Sequence, residues 1–156
     1  MSDFRKAIKS DFAAIQNLKK EVHSIHVAAE PHFYKDSSEL ISQEDFEKEI
    51  ASDQVYIISD LTEGTIYGYA FLRSIQVADN PIIHDQKILY IEDFCIADEY
   101  RKQGLGRELM QNIEHIAKEK NYTSIEFNVW AFNSNAIEFY KRNGFSMSRI
   151  RMKKDI

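Results

Sequence analysis

Apolar and polar positions change their period several times along this chain, and each change marks an element. Phe4 to Ile8 predicts a first strand. Phe12, Ile15, Leu18, Val22 and Ile25 then recur at three- and four-residue steps, the stripe of a helix that Asp11 can cap and that runs to about His26. A turn follows around Pro31, and Ser42 with Asp45 opens a second capped helix that buries Phe46 and Ile50. Val55 to Ser59 and Thr65 to Ile75 flank Glu63-Gly64 as a hairpin, and Val77 to Lys87 reads as a loop. Ile88 to Ala97, dense in β-branched and aromatic residues, predicts a strand, and Leu105, Leu109, Ile113 and Ile116 predict the apolar face of a helix. Ser124 to Val129 alternates again, after which Trp130 to Phe145 reads as loop, short helix and glycine stop at Gly144. Strand, two helices, three strands, helix, strand, helix and a last strand make an α/β order with an antiparallel front and a parallel contact further on.

Composition narrows the class. The 156 residues suit one domain, 1–156, and 44% hydrophobic content gives it a core. No apolar run is long enough to span a membrane and no basic-apolar leader is visible, so a cytoplasmic protein without a membrane partner is expected. Cys95, the one cysteine, permits no internal disulfide. His23 and His26 lie one helical turn apart without further ligands at suitable spacing, so no metal is expected. A formal net charge of −5 disfavours nucleic acid and is compatible with a cationic amine.

The strongest chemical signal is Arg101-Lys102-Gln103-Gly104-Leu105-Gly106-Arg107, placed where a strand gives way to a helix. The first amides of a helix have no intrahelical partner, and glycines let a ligand approach them, a geometry that binds phosphate or pyrophosphate. The neighbouring Arg101, Lys102 and Arg107 favour a multiply charged anion such as a nucleotide-like cofactor. A Walker A loop is excluded because Arg107 and Glu108, not Lys and Ser/Thr, follow Gly106. A dinucleotide fingerprint is disfavoured because Leu109 stands where a third small residue is needed.

What remains is an (Arg/Gln)-x-x-Gly-x-(Gly/Ala) loop, which resembles that of the GCN5-related N-acetyltransferase (GNAT) family. A second block, Asn133-Ser134-Asn135-Ala136-Ile137-Glu138-Phe139-Tyr140, also resembles the family, in the expected order, so the likeness runs from Ile88 to Phe145. The resemblance implies a GNAT fold: a single mixed, mostly antiparallel sheet with splayed central strands flanked by helices. It implies acetyl-CoA as cofactor, with its pyrophosphate on Arg101 to Arg107 and its pantetheine arm along Asn133, Asn135, Ala136 and Phe139. The arm would also pair with backbone groups of Phe94, Cys95 and Ile96, as an added strand does. A homodimer is a further family expectation.

The chemistry needs a proton acceptor, because an alkylamine with a pKa of about 10.4 is charged at neutral pH. Glu92 shares an alternation face with Tyr90 and Phe94 and is the candidate general base, while Asp93 is expected on the opposite face. A carboxylate of pKa about 4.3 is a poor direct partner for an ammonium, so Glu92 is expected to act through burial or a water. Tyr140 is the candidate acid for the departing thiolate, as a strong hydrogen-bond donor rather than a free proton source. A lone strand cysteine without a neighbouring histidine is an improbable acetyl carrier, so direct transfer is preferred over a route through Cys95. The pieces around Glu92 and Tyr140 are similar to the diamine and polyamine acetyltransferase branch, with His26 to Phe33 available to line the acceptor pocket. A small-molecule primary amine is therefore the expected substrate. A peptide or protein N-terminal acetyltransferase and a catalytically silent acyl-CoA-binding module are the alternatives.

Overall fold

In the computed structural model, which describes residues 1–156, five strands form one sheet in the order β1-β2-β3-β4-β5. The strands are β1 (Ser2–Lys6), β2 (Val55–Asp60), β3 (Ile66–Val77), β4 (Gln86–Ile96) and β5 (Ser124–Glu126). Helices α1 (Phe12–Ala29) and α2 (Gln43–Ala51) precede β2, α3 (Leu105–Glu119) joins β4 to β5, and α4 (Ser134–Arg142) follows β5. The first four strands pair antiparallel and only β4 and β5 run parallel, as a helical crossover through α3 requires.

Apolar residues of both pleat faces are buried, so the sheet is the middle of three layers. Ile58, Ala70, Leu72, Leu89 and Ile91 pack with Leu109, Met110 and Ile113 of α3 on one face. Ile57, Tyr69, Phe71 and Cys95 pack with Ile15 and Leu18 of α1 and Phe46 of α2 on the other. Ile15, Phe46, Leu109 and Ile113 are fully buried, which is why the helical stripes on these three helices were so regular. No helix is long and apolar enough to cross a membrane.

Local chemistry sets the ends of the elements. Ser42 caps α2, its hydroxyl accepting from the Asp45 amide at 3.1 Å. Asp11 does not cap α1: its carboxylate accepts from the Ile8 amide and, at 2.8 and 3.0 Å, from the Arg5 guanidinium. Burial alone would raise the Asp11 pKa, but these donors hold it below the ordinary value. Strand β1 starts two residues before the predicted Phe4, because its register is fixed by pairing Phe4 with Ile58 rather than by its own pattern. Helix α1 continues past His26 to Ala29, and β3 runs two residues beyond Ile75. Two expectations fail at the far edge. The strand expected over Ser124 to Val129 stops at Glu126, and the last strand does not form: residues 145–156 take no regular structure.

Candidate active site

The loop Asp98 to Gly104 turns β4 into α3 and holds itself together with its own side chains. Arg101 donates from Nε to the Ile96 carbonyl at 3.0 Å and from a terminal nitrogen to Asp98 at 2.9 Å, while Gln103 donates to the Glu99 carbonyl at 3.2 Å. Arg101 and Gln103 thus brace the loop, and the exposed Lys102 and Arg107 remain as its free cations. Gly104 adopts φ +86, a left-handed conformation that admits glycine readily, and it starts α3 as its N-cap. The first backbone bond of α3 is from Glu108 to the Gly104 carbonyl, so the amides of Leu105, Gly106 and Arg107 find no partner in the chain. Four features fit a pyrophosphate: unpaired amides, a helix N-terminus, two nearby cations, and space over Gly104, where an added Cβ would meet nothing within 4 Å.

Strand β4 carries the second part of the site because its two borders differ. Toward β3 it is paired from Gly68–Ile96 to Val77–Gln86, whereas toward β5 only Ile88, Leu89 and Tyr90 are paired. Ala97 donates to the Tyr67 carbonyl at 2.8 Å, which fixes the phase of the ladder. Backbone groups of Phe94 and Ile96 therefore turn toward the open gap, while those of Cys95 turn to β3. This corrects the expectation that three consecutive residues offer free backbone groups. Of those that face the gap, the Ile96 carbonyl is already taken by Arg101.

A β-bulge between Phe71–Asp93 and Leu72–Ile91 leaves Glu92 as an extra residue and shifts the alternation by one. Glu92 and Asp93 consequently both face the α1 layer, with Tyr90, whereas Phe94 faces α3; the expected opposition of the two carboxylates is corrected. Glu92 is exposed and ion-paired to Arg73 at 3.2 Å, with Arg73 itself 5.4 Å from the Tyr90 ring centre. Asp93 accepts from Lys19 at 2.6 Å and from the Tyr69 hydroxyl at 2.9 Å. The Lys19 side chain is only 13% exposed and its ammonium lies 4.0 Å from the Phe71 ring centre. Burial, with the Asp93 charge in second place, raises the pKa of the Tyr69 phenol, and the same two causes push the Cys95 thiol up to about 12. Cys95 donates only to the Leu18 carbonyl, at 3.9 Å, so a nucleophilic thiolate is disfavoured there.

Helix α4 completes the site. Asn133 caps it by accepting from the Ala136 amide at 3.2 Å, which explains an asparagine three positions before an alanine without reference to a ligand. Asn135 is exposed on the first turn and Ala136 is half-buried. Phe139 stands 6.0 Å from Phe94, and its ring lies where a Cβ on Gly106 would come within 3.3 Å. Tyr140 packs on Phe127 with ring centres 4.2 Å apart. Its hydroxyl makes no hydrogen bond within the chain, yet no buried polar side-chain atom is left unsatisfied, so this hydroxyl opens to solvent at the gap. Burial of the ring, aided by the Asp93 charge, pushes the phenol pKa up to about 12.

An aromatic wall that the periodicity did not reveal joins the residues after α1 to the loop after β5. Trp130 donates to the Tyr34 hydroxyl at 2.8 Å, meets Phe33 at 5.3 Å and stacks with Phe132 at 6.0 Å. His26 stacks on Tyr34 at 5.2 Å, and its burial lowers its pKa against the opposing pull of Asp93. These residues lie about a hundred positions apart in sequence, so only the fold assembles them. No group of three or more metal-ligating side chains is present.

Comparison with known proteins gives the family and the fold. The family model described as Acetyltransferase (GNAT) family matches residues 19–145. An uncharacterized N-acetyltransferase of Bacillus subtilis is 30% identical over 74 residues, 47% of each chain. Thialysine N-epsilon-acetyltransferase of Bos taurus is 30% identical over 56 residues, 36% of this chain and 33% of that enzyme. The matched stretches thus span about half or less of these curated relatives. A solved structure of a Bacillus halodurans protein superposes with a TM-score of 0.93 over 99% of both chains at 22% identity.

Proposed function

From the membership of this chain in the GNAT acetyltransferase family, we propose that it is an acetyl-CoA-dependent N-acetyltransferase of the cytoplasm that moves an acetyl group directly to a primary amine of a small, polyamine-like molecule. The observation that carries this reading is the adjacency of the two blocks: Gly106, among the unpartnered amides of α3, backs onto Phe139, the neighbour of the free Tyr140 hydroxyl. An anion site and a proton donor one aromatic ring apart suit a ligand with a phosphate at one end and a reacting centre further along.

When bound, acetyl-CoA supplies an acetyl group activated as a thioester. Lys102, Arg107 and the amides from Leu105 to Arg107 would hold its pyrophosphate, with Gly104 leaving room for it. The open edge at Phe94 and Ile96 would align the arm, and Asn135, Ala136 and Phe139 would line it. Glu92, exposed at the bulge, takes the proton of the incoming ammonium through a water, and Arg73 keeps the carboxylate in place. Asp93 is held by Lys19 and Tyr69 as a positioning residue beneath it. Tyr140 would donate a hydrogen bond to the sulfur as negative charge develops, and the acylated nitrogen, made acidic by the attack, would give its remaining proton to the departing thiolate. With a phenol near 12 against a thiol near 8.5, full transfer would be uphill by roughly 5 kcal/mol, so Tyr140 keeps its proton. The Phe33, Tyr34, Trp130 and Phe132 wall supports a cationic acceptor, since rings attract an ammonium by cation–π contact. The lysine-like amine substrate in the name of the bovine relative agrees in chemistry.

The test is release of free CoA thiol by the purified protein with spermidine, lysine, an aminoglycoside or a short peptide as acceptor. Release with spermidine or another small amine is expected. Release with the peptide alone would replace the small-molecule reading by N-terminal acetylation. Silence with every acceptor, despite a rise in melting temperature with acetyl-CoA, would replace catalysis by a binding module.

A further inference from the structure

Rings of this chain meet cations in some places and are left without them in one. Lys19 stands over Tyr69 and Phe71, Arg73 over Tyr90 and Lys87 over Tyr122. No lysine or arginine stands over the wall of Phe33, Tyr34, Trp130 and Phe132, although Phe33 and Phe132 are 65% and 37% exposed. Ring faces that attract a cation are therefore open to solvent there. The polar atoms of the wall are spent on each other, the Trp130 indole donating to the Tyr34 hydroxyl at 2.8 Å.

His26 stands among these rings. It lies 5.2 Å from Tyr34 with the ring planes nearly parallel and 6.1 Å from Phe132 with the planes nearly perpendicular. His23, one turn earlier, donates from Nε2 to the Lys35 carbonyl at 2.7 Å, whereas the half-buried His26 imidazole bonds to nothing in the chain. No buried polar side-chain atom lacks a partner, so the His26 nitrogens open to solvent beside the rings. The titratable groups around it are His23 on its own helix, Tyr34 in the loop that follows and Asp93 of β4, while the loop after β5 brings the uncharged Phe132. Burial, with the help of His23 and against Asp93, holds His26 below its ordinary pKa, so at neutral pH it presents a bare nitrogen that accepts a hydrogen bond.

Short stretches of chain tie the wall to the reacting end of the proposed site. Trp130 is three residues beyond Phe127, whose ring lies 4.2 Å from that of Tyr140, and three extended residues reach at most about 10 Å. The Asn133 amide bonds back to the Trp130 carbonyl at 3.0 Å and the Ser134 amide to the Phe132 carbonyl at 2.9 Å, which holds the loop against the cap of α4. On α1, His26 follows Lys19, the partner of Asp93, by two turns on the same face, about 10 Å along the axis.

Resting on the amine-acetylating reading above, we propose that the wall and His26 form a second subsite for the acceptor, which takes the far ammonium of a diamine while the near amine is acetylated. The far nitrogen lies against the ring faces and donates one hydrogen to the His26 imidazole. Four methylenes put about 6 Å between the two nitrogens, which falls inside the reach set by the chain. No carboxylate is needed for this grip, so Glu92 stays available for the proton of the near amine.

The experiment compares putrescine with butylamine, which share the reacting end and differ in the far ammonium. CoA-thiol release at neutral pH should give putrescine a KM about tenfold lower at similar kcat. That preference should shrink as the pH falls below about 6.5 and His26 gains a proton, because an imidazolium accepts no hydrogen bond and repels the ammonium. His26→Ala should bring the two KM values together, whereas His26→Gln, an uncharged acceptor at every pH, should keep the preference and lose its dependence on pH. Equal KM values in the unaltered protein, or a preference that survives His26→Ala, would overturn the subsite. Trp130 is the single tryptophan, so its fluorescence, followed with each amine in the presence of CoA, reports binding without turnover. Tighter binding of putrescine without thiol release with any acceptor would remove the acetylation reading and keep the subsite, and equal binding of the two amines would remove the subsite.

Discussion

The two borders of β4 differ more than any other neighbouring parts of this molecule. Against β3 the strand is paired along its whole length; against β5 it is paired at Ile88, Leu89 and Tyr90 and then stands free. The closed border gives its backbone bonds to the fold and is covered by the apolar layers of α1 and α3. The open border leaves backbone groups of Phe94 and Ile96 without a partner on β5, with the Tyr140 ring 6.3 Å from that of Phe94. One strand thus serves stability on one side and recognition on the other, and side chains on the two sides should fail in different assays.

Phe46→Ala tests the closed side most severely. Phe46 is fully buried under the sheet, so its loss should cost about 3–5 kcal/mol and lower Tm by roughly 10 °C, while the folded protein still binds acetyl-CoA. Cofactor affinity that fell along with Tm would erase the division between the borders. Tyr140→Phe tests the open side in the reverse sense. Turnover should fall by about a hundredfold with Tm and acetyl-CoA affinity nearly unchanged, and equal turnover would remove the donor role. The same phenol, raised to about 12, keeps its proton below that pH. The rate of the unaltered protein should therefore rise with pH as the acceptor amine loses its proton, without a descending limb from Tyr140 below about pH 11.

The smallest contrast lies within the bulge. Glu92→Gln should lower kcat by about tenfold and leave Tm in place, because Glu92 is exposed and its partner Arg73 is half in solvent. Asp93→Asn should instead lower Tm by several degrees, because it leaves the Lys19 ammonium without a carboxylate in a largely buried setting. If the kinetic loss followed Asp93 and spared Glu92, the roles of the two carboxylates would exchange.

Much of this was legible in the chain. The stripes of α1 and α3 were clear because one face of each is packed against the sheet, and the turn into α3 was clear because Gly104 and Gly106 stand where the apolar face of the helix begins. The bulge was not legible. Counting alternate residues assumes one residue per pleat, and no glycine or proline at 91–93 announces the extra one, so Asp93 was placed on the wrong face. Arg101, Gln103 and Asn133 were read as ligand-binding, yet their side chains bond the loop and the helix cap, a distinction that residue type alone does not make. The aromatic wall escaped because Tyr34 and Trp130 meet only through the fold. The last strand was expected from the order of elements alone, and residues 146–156 find no strand of this chain to pair with.

The contact between Gly106 and Phe139 ties the two sequence blocks into one piece of machinery. A methyl group at position 106 would press on the edge of that ring at 3.3 Å, so the ring would have to yield by a few tenths of an ångström and the helix carrying Tyr140 would tilt with it. Positions 106 and 139 are therefore expected to change together or not at all. A chain that acquired a larger residue in the loop would keep its reach to the reacting atoms only by shortening the ring opposite, as a gauge is reset when its spacer is replaced.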